Sequence, residues 1–462
     1  MSSDDLLYLE VAAELGEKIA ESAIWFEDRC NWVGAVPQKD PRGSLTIAAL
    51  GPDLYGGTSG VALFLAEAGT RLDDDRLRAT AIGAIRQALD HADRIHPGLR
   101  DGLYLGSIGV AYAAARVAGL LDREEVMAGA RELLRAWRLD DTRSASADVM
   151  SGCAGGVAGL LALTELVEEP WLVEAAASLG EELIARAEPT ASGWSWAEPG
   201  RRSMFNLCGF SHGAAGIGHA LAELFGVTGD SRFREAAERA ADHERSWFDS
   251  RTGTWPDLRD VALLAGRDAP IPAADSSWCN GAPGIALARL RAAELLGSAA
   301  LDRDAILALE ACERHVSELV VHAPADFSLC HGAACTGDAL LYAADGPEDR
   351  YRALAVKIGR DGIERHHGPR ATGFPCGMPQ GETPGLLLGL AGIGMFYLRL
   401  WDPGVDSPLL VHRNGLDSLA GTSIQSHVTA KENSRERAVK EGKGEQRDDS
   451  HPGAGRTGAR EG

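Results

Sequence analysis

The sequence predicts an all-α fold, a double-layered (α/α) toroid of about seven inner and seven outer helices. Three observations lead to this prediction. A short glycine-led motif followed by an apolar run recurs seven times along the chain. A charged, amphipathic run with helical spacing lies between successive motifs. Alternating Val, Ile and Thr runs, which are typical of strands, are scarce.

The inner helices are predicted from the apolar runs, because a helix that is apolar on nearly every side belongs in a protein interior. The motifs that open these runs begin at Gly57, Gly106, Gly152, Gly213, Gly281, Gly332 and Gly389. The outer helices are predicted from segments such as "DRLRATAIGAIRQALDHADRI" and "DSRFREAAERAADHERSWF", whose charged faces suit contact with water. In a closed ring of such pairs, the residues just before each inner helix gather at one rim.

Composition excludes several classes of function. The net charge of −21 argues against nucleic acid as a partner. No apolar run is long enough to span a membrane, and the N-terminus lacks the features of a secretory signal. The eight cysteines are therefore expected to be reduced thiols in the cytoplasm. Residues 1–414 form the predicted toroid domain, and the polar residues 415–462 are expected to be a disordered tail.

Reactive side chains cluster just before the motifs of consecutive repeats. Cys279 lies two residues before Gly281, while Cys330 and His331 directly precede Gly332. Two thiolates and one imidazole are ligands that suit zinc, and three protein ligands leave an open position, as in catalytic sites. His212, from the neighbouring repeat, is predicted as an acid/base group, and Asp148 lies at the rim of the repeat before it.

The motifs "FSHGAAGI", "SWCNGAPGI", "LCHG" and "PGLLLGLAGIGMFYLRL" resemble those of the lanthionine synthetase C-like (LanC-like) cyclases over residues 45–402. "DVMSGCAGGVAG" and "ERSWFDSRTGTWPDLR" are similar to the cyclase domain of class II lanthipeptide synthetases. The resemblance implies one Zn²⁺ per chain, held by Cys279, Cys330 and His331, with His212 and Asp148 as catalytic residues. It also implies addition of a peptide cysteine thiol to dehydroalanine or dehydrobutyrine, which forms a (methyl)lanthionine thioether ring.

The chain departs from the family pattern at Asn280, where His or Tyr is usual, and at Cys335, where glycine is usual. It begins shortly before its first repeat, so we expect a separate dehydratase to prepare the precursor peptide. Two alternatives stay open: addition of a small thiol such as glutathione to dehydroamino acids in proteins, and a toroid that binds without catalysis. Acidic clusters at Asp73 to Arg76 and at Asp140 and Asp141 could instead serve a glycoside hydrolase or a magnesium-dependent enzyme, but are expected to be solvated loop ends.

Overall fold

The computed structural model describes residues 3–412, apart from 38–44, 141–142, 200–204, 260–273, 275, 322–325, 347, 369–370, 372 and 379–380. This described part contains fourteen α-helices. The seven inner helices are α2 (Thr58–Leu72), α4 (Ser107–Leu121), α6 (Cys153–Leu163), α8 (Ala214–Thr228), α10 (Ala282–Leu296), α12 (Ala333–Ala343) and α14 (Leu390–Trp401). The seven outer helices are α1 (Ser3–Glu21), α3 (Asp75–Asp90), α5 (Glu124–Leu139), α7 (Leu172–Arg186), α9 (Ser231–Trp247), α11 (Ala299–Val321) and α13 (Arg350–His366).

The inner helices form a closed ring. Each one contacts the next along the chain, and α14 contacts α2, which completes the circle. Each outer helix from α3 to α13 packs on the inner helix before it, and α1 packs on α14. The predicted toroid of seven inner and seven outer helices is therefore confirmed.

The repeated glycines have a steric reason. The first glycine of each motif is the N-cap of its inner helix, with an extended backbone. The second glycine, three residues later in six of the repeats, faces the carbonyl oxygen of the residue six positions before it. A Cβ atom there would approach that oxygen to between 1.6 and 2.2 Å, for example 1.6 Å between Gly109 and Leu103. Only glycine lets the pre-helix loop fold this closely over its own helix.

Backbone hydrogen bonds join the seven pre-helix loops into a continuous circle, which we call the rim belt. In each bond an amide N–H of one loop donates to a carbonyl oxygen of the adjacent loop. The bonds are Tyr55 to Tyr104 (2.9 Å), Leu105 to Met150 (2.9 Å), Val149 to Ser211 (3.1 Å), Ser211 to Cys279 (3.0 Å), Trp278 to Cys330 (2.9 Å), Cys330 to Leu387 (2.8 Å) and Leu387 to Tyr55 (2.8 Å). The predicted site residues lie in this belt or beside it, so the fold itself brings distant parts of the sequence together.

The axis of the toroid is filled by side chains and by the segment that follows α14. Tyr104 and Trp278, from repeats on opposite sides of the ring, make an edge-to-face contact with their ring centroids 5.0 Å apart. The Tyr104 hydroxyl donates to the carbonyl of Pro408, and the Trp278 indole donates to that of Leu409. Buried aromatic rings therefore pack on each other and on this segment beneath the rim belt.

Three short hairpins lie in the connections between the described helices. They pair β1 (Ile24–Phe26) with β2 (Arg29–Asn31), β3 (Val33–Pro37) with β4 (Leu45–Ala49), and β5 (Glu188–Thr190) with β6 (Gly193–Ser195), all antiparallel. Within the described residues, no helix has the length and apolar character that a membrane crossing requires. Residues 415–462, the predicted tail, lie outside the described part, and the domain boundary at residue 414 stays a prediction.

Candidate functional site

Cys279 and Cys330 meet where the fifth and sixth loops of the rim belt join. The amide of Trp278 donates to the carbonyl of Cys330, which places the two thiols side by side. Their contact lowers the pKa of Cys279, and so do the hydrogen bond with Ser277 and the positive charge of Arg259. Burial acts in the opposite direction and raises this pKa. The same contact, together with burial, raises the pKa of Cys330 well above its usual range.

His331 lies next to Cys330 and is held by Asp326, a residue that the sequence analysis missed. The Nδ1 atom of His331 is hydrogen-bonded to Oδ2 of Asp326, and this bond raises the pKa of the imidazole. Asp326 is fixed in turn, because it accepts hydrogen bonds from the amide and the hydroxyl of Ser328. A carboxylate on one ring nitrogen is the usual support of a metal-ligating histidine and leaves Nε2 as the nitrogen for a metal.

Two further side chains contact the sulfur atoms. The Tyr55 hydroxyl, from the first repeat, donates to Sγ of Cys330 at 3.1 Å. The amide of Asn280 has a terminal atom 3.1 Å from Sγ of Cys279. Both neighbours lie on rim-belt loops. Tyr55 could not be recognised from its motif, because its contact depends on the closure between the first and last repeats.

The structure brings His212 and Asp148 together. The ring Nδ1 lies 2.5 Å from Oδ2 of Asp148, and the Asp148 side chain is buried. The second oxygen of Asp148 accepts from the amide and the hydroxyl of Ser151, at 2.8 and 3.1 Å. This neighbourhood fixes the tautomer of His212 so that Nε2 is the nitrogen that can exchange a proton. The amide and hydroxyl of Ser211 both donate to the carbonyl of Cys279, which ties this histidine to the cysteine pair.

Glu198 joins this dyad and was not found from the sequence. It follows β6 after the buried Trp196, and its carboxylate accepts from the Ser146 hydroxyl at 3.2 Å. Ligand atoms of Asp148, Glu198 and His212 all lie within 4.8 Å of one another, which makes this the closest metal-compatible group among the described residues. Cys279, Cys330 and His331 do not form so compact a group. The protein therefore offers two candidate metal groups of different chemistry, one rich in carboxylates and one containing two thiols.

Cys335, the departure in the sixth repeat, stands where six other repeats carry their second glycine. It is fully buried on α12, and its thiol lies 3.4 Å from the carbonyl oxygen of Ser276. Burial raises its pKa well above the usual range of a thiol. A neutral thiol turned toward a backbone carbonyl packs the helix and is a poor metal ligand.

The acidic cluster at residues 73–76 has a structural role. Asp73 is the left-handed C-cap of α2, and Asp74 is the N-cap of α3, accepting from the amides of Arg76 and Leu77. Asp140 caps the end of α5 and pairs with Arg100, while Asp141 lies outside the described residues. Carboxylates engaged in helix caps on the outer layer do not form a catalytic pair.

A comparison with protein-family models decides the family. The model described as "Lanthionine synthetase C-like protein" matches residues 48–410. The chain belongs to the lanthionine synthetase C-like family. None of the curated proteins compared with this LanC-like chain matches it significantly.

Among solved structures, nisin cyclase shares the fold of this LanC-like protein. Nisin cyclase is 18% identical, with a TM-score of 0.51, and the match covers 76% of this chain and 89% of the cyclase. The Lin0763 protein of Listeria innocua is 12% identical with a TM-score of 0.48, over 85% of this chain and 96% of that one. The unsaturated glucuronyl hydrolase of Bacillus sp. GL1 is 13% identical with a TM-score of 0.43, over 90% and 100% of the two chains.

Proposed function

We propose that this protein is a zinc-dependent lanthipeptide cyclase. It adds a cysteine thiol of a dehydrated precursor peptide to dehydroalanine or dehydrobutyrine, which closes a lanthionine or methyllanthionine ring. The observation that carries the proposal is the pairing of two thiols and a carboxylate-held histidine with a second, proton-exchanging histidine through the Ser211–Cys279 hydrogen bonds. A cytoplasmic location and a separate dehydratase are parts of the same proposal.

The cysteine group fits zinc better than the carboxylate group does. Zinc prefers thiolate and imidazole ligands, and Cys279, Cys330 and His331 supply both types. The contact from Tyr55 and the Asp326–His331 bond are the outer contacts that orient such ligands. Asp148 and His212 are hydrogen-bonded to each other, and Glu198 accepts a hydrogen bond from Ser146. These bonds explain why the three side chains are close without a metal. When bound, zinc supplies a Lewis acid with one open position that keeps a further thiol deprotonated.

The chain's own residues handle the proton. As the sulfur of the peptide bonds to the β-carbon of the dehydroamino acid, the π electrons of the C=C bond move toward the acyl oxygen. His212, fixed by Asp148, gives a proton from Nε2 to the α-carbon. The proton lost by the thiol then reprotonates Nε2 of His212. The net reaction adds S–H across the C=C bond, so no oxidant or reductant is consumed.

The test of the activity is incubation of the purified, zinc-loaded protein with dehydrated precursor peptides, followed by alkylation of free thiols and mass spectrometry. Ring closure is expected to remove one alkylatable thiol per ring without a change of peptide mass. A parallel incubation with glutathione and a cysteine-free dehydrated peptide measures the alternative reaction, which adds the mass of glutathione. If the glutathione adduct is the only product, the small-thiol alternative replaces the cyclase proposal. If neither incubation gives a product, the result favours a protein that binds without catalysis.

The zinc assignment has its own test in metal content. Wild-type protein is expected to hold about one zinc per chain, and Cys279→Ala or Cys330→Ala is expected to lose it. Cys335→Ala is the matched control, since it removes a buried thiol from the same helix region and is expected to retain the metal. His212→Ala is expected to keep zinc and lose ring formation. Full zinc retention in both Cys279→Ala and Cys330→Ala would contradict the assignment.

A further inference from the structure

Arg259 lies beside the cysteine pair, although it comes from the loop after α9 and not from a motif of the rim belt. Its guanidinium contacts the side-chain amide of Asn280, the residue that follows Cys279. With the amide oriented to satisfy both groups, Oδ1 of Asn280 accepts from Nη1 at 2.9 Å and from Nε at 3.2 Å. The same amide atom lies 3.1 Å from Sγ of Cys279. A single amide atom therefore separates the guanidinium from the sulfur.

The guanidinium is held in place by Asp257. Nε donates to Oδ1 at 3.0 Å and Nη2 donates to Oδ2 at 2.6 Å, a two-point contact that fixes the plane of the group. This leaves the edge that carries Nη1 on the side of Asn280. Because the ion pair already fixes the guanidinium in the folded protein, less side-chain entropy is lost when it binds a ligand.

The reaction under the proposed function needs a positive group at this place. Negative charge develops on the acyl oxygen of the dehydroamino acid while the sulfur attacks its β-carbon. Three carboxylates, Asp148, Glu198 and Asp326, surround the two histidines and would oppose that charge. Asp257 is a fourth carboxylate and balances the charge of Arg259, so the arginine acts here as a fixed N–H donor. A fixed donor near the developing charge lowers the barrier, because it needs no reorganisation during the reaction.

We infer that Arg259 is a catalytic residue that binds the acyl oxygen of the dehydroamino acid and stabilises the enolate formed by thiol addition. The inference rests on the proposed function. It names a residue that binds the dehydroamino acid, whereas Cys279, Cys330 and His331 serve the attacking thiol. The carbon–sulfur bond forms at the β-carbon, the electron pair moves to the oxygen facing Arg259, and it returns when the α-carbon takes its proton. Arg259 keeps its own protons throughout.

The chain offers a matched control in the same loop. Arg251 pairs with Asp249 two residues before it through the same contacts, with Nε to Oδ1 at 3.1 Å and Nη2 to Oδ2 at 2.9 Å. Its side chain is 88% exposed, whereas that of Arg259 is 39% exposed. Arg251→Gln thus removes an equivalent local ion pair without touching Asn280.

The probe is a blocked synthetic peptide with one dehydroalanine and one cysteine, and its ring closure is followed as initial rates above the uncatalysed background. Arg259→Gln is expected to lower kcat by roughly 100-fold to 1000-fold with KM changed by less than about threefold, the pattern of a lost transition-state contact. Zinc content is expected to equal that of wild type, and Arg251→Gln to match wild type in every measurement. Arg259→Ala is expected to regain at least about tenfold in rate with millimolar guanidine hydrochloride, and not with urea.

These results separate a catalytic role from a structural one. A kcat of Arg259→Gln within about fivefold of wild type would overturn the inference while leaving the cyclase proposal intact. The inference would also be overturned if the rate loss of Arg259→Gln were accompanied by an equal loss of zinc, or if guanidinium did not restore the rate of Arg259→Ala. If the wild-type protein closes no ring above background, the proposed function fails and the role of Arg259 fails with it.

Discussion

The folded protein buries a histidine in an environment that opposes its charge, and this predicts a pH dependence of stability. His219 lies on α8, with its side chain 1% exposed and its ring against Phe210 at a centroid distance of 5.7 Å. Neither ring nitrogen makes a hydrogen bond of normal geometry with the described residues, but the backbone of Val411 lies close enough to favour the protonated ring, which opposes the effect of burial. Burial lowers the pKa of His219 from 6.5 to about 4; Glu223 opposes this shift, and His412 and Arg291 add to it.

The sign follows from which state binds the proton more tightly. The unfolded chain takes up a proton at His219 near pH 6.5, whereas the folded protein does so only near pH 4. The contribution of neutral, buried His219 is therefore fully present above pH 6.5 and is lost as the pH falls toward 4. Between pH 8 and pH 5 the free energy of unfolding is expected to fall by about 2 kcal/mol through this group alone.

The perturbation that isolates this effect is His219→Phe, which keeps a ring against Phe210 and cannot take up a proton. Denaturant unfolding is measured at pH 8 and pH 5 for both proteins after zinc removal, so that metal loss does not contribute. The decrease of unfolding free energy is expected to be about 2 kcal/mol smaller in His219→Phe than in wild type. His96→Phe, made on an exposed ring, controls for the loss of a histidine. Equal decreases in wild type and His219→Phe, within about 0.5 kcal/mol, would refute the reasoning.

Three other predictions test the site and the belt. Asp326→Asn is expected to weaken zinc binding about 10-fold to 100-fold in a competition titration, because His331 loses the carboxylate that orients it. Glu198→Gln is expected to retain zinc and to slow ring closure by up to about tenfold; loss of the metal would instead move the zinc to the carboxylate group. Gly109→Ala is expected to destabilise the protein by about 3 kcal/mol or more, since its Cβ would collide with Leu103. Gly119→Ala, on the same helix with no atom within 4 Å, is expected to be neutral or stabilising by up to about 1 kcal/mol in the same thermal unfolding assay.

The ring of helices could be predicted from the sequence because its cause is repeated. Each repeat carries the glycine that caps its inner helix, and nearly all carry the second glycine that lets the loop fold over it. Position within the repeat then places Cys279, Cys330 and His212 at one rim. The closeness of Asp148 and His212 can be predicted for the same reason, because the two residues precede the motifs of adjacent repeats.

The residues that were missed lie outside this repeat pattern. Glu198 comes from a connection between helices, whose path depends on packing that no local motif encodes. Arg259 ends the family-like segment "ERSWFDSRTGTWPDLR", but that segment has no repeat position that would place it at the rim. Asp326 lies before a recognised motif, but aspartates at comparable positions elsewhere in the chain form turns. Asp53, for example, accepts a hydrogen bond from the amide of Gly56 in its own loop. Tyr55 contacts Cys330 across a large distance in sequence, and only closure of the ring creates that contact.

The rim belt fixes the relative positions of the loops that carry the candidate site. Each ligand-bearing loop is fixed by backbone bonds to both of its neighbours; the loop of Cys330 receives one from Trp278 and donates one to Leu387. Cys279 is bonded through its carbonyl oxygen to Ser211, so a shift of the cysteine would also move the loop that carries His212. The proposed metal ligands and the proposed proton donor therefore keep their relative positions through main-chain contacts, which side-chain substitutions do not remove. For this reason we expect a substitution at His212 to abolish the proposed proton transfer while the proposed zinc binding at Cys279 and Cys330 persists.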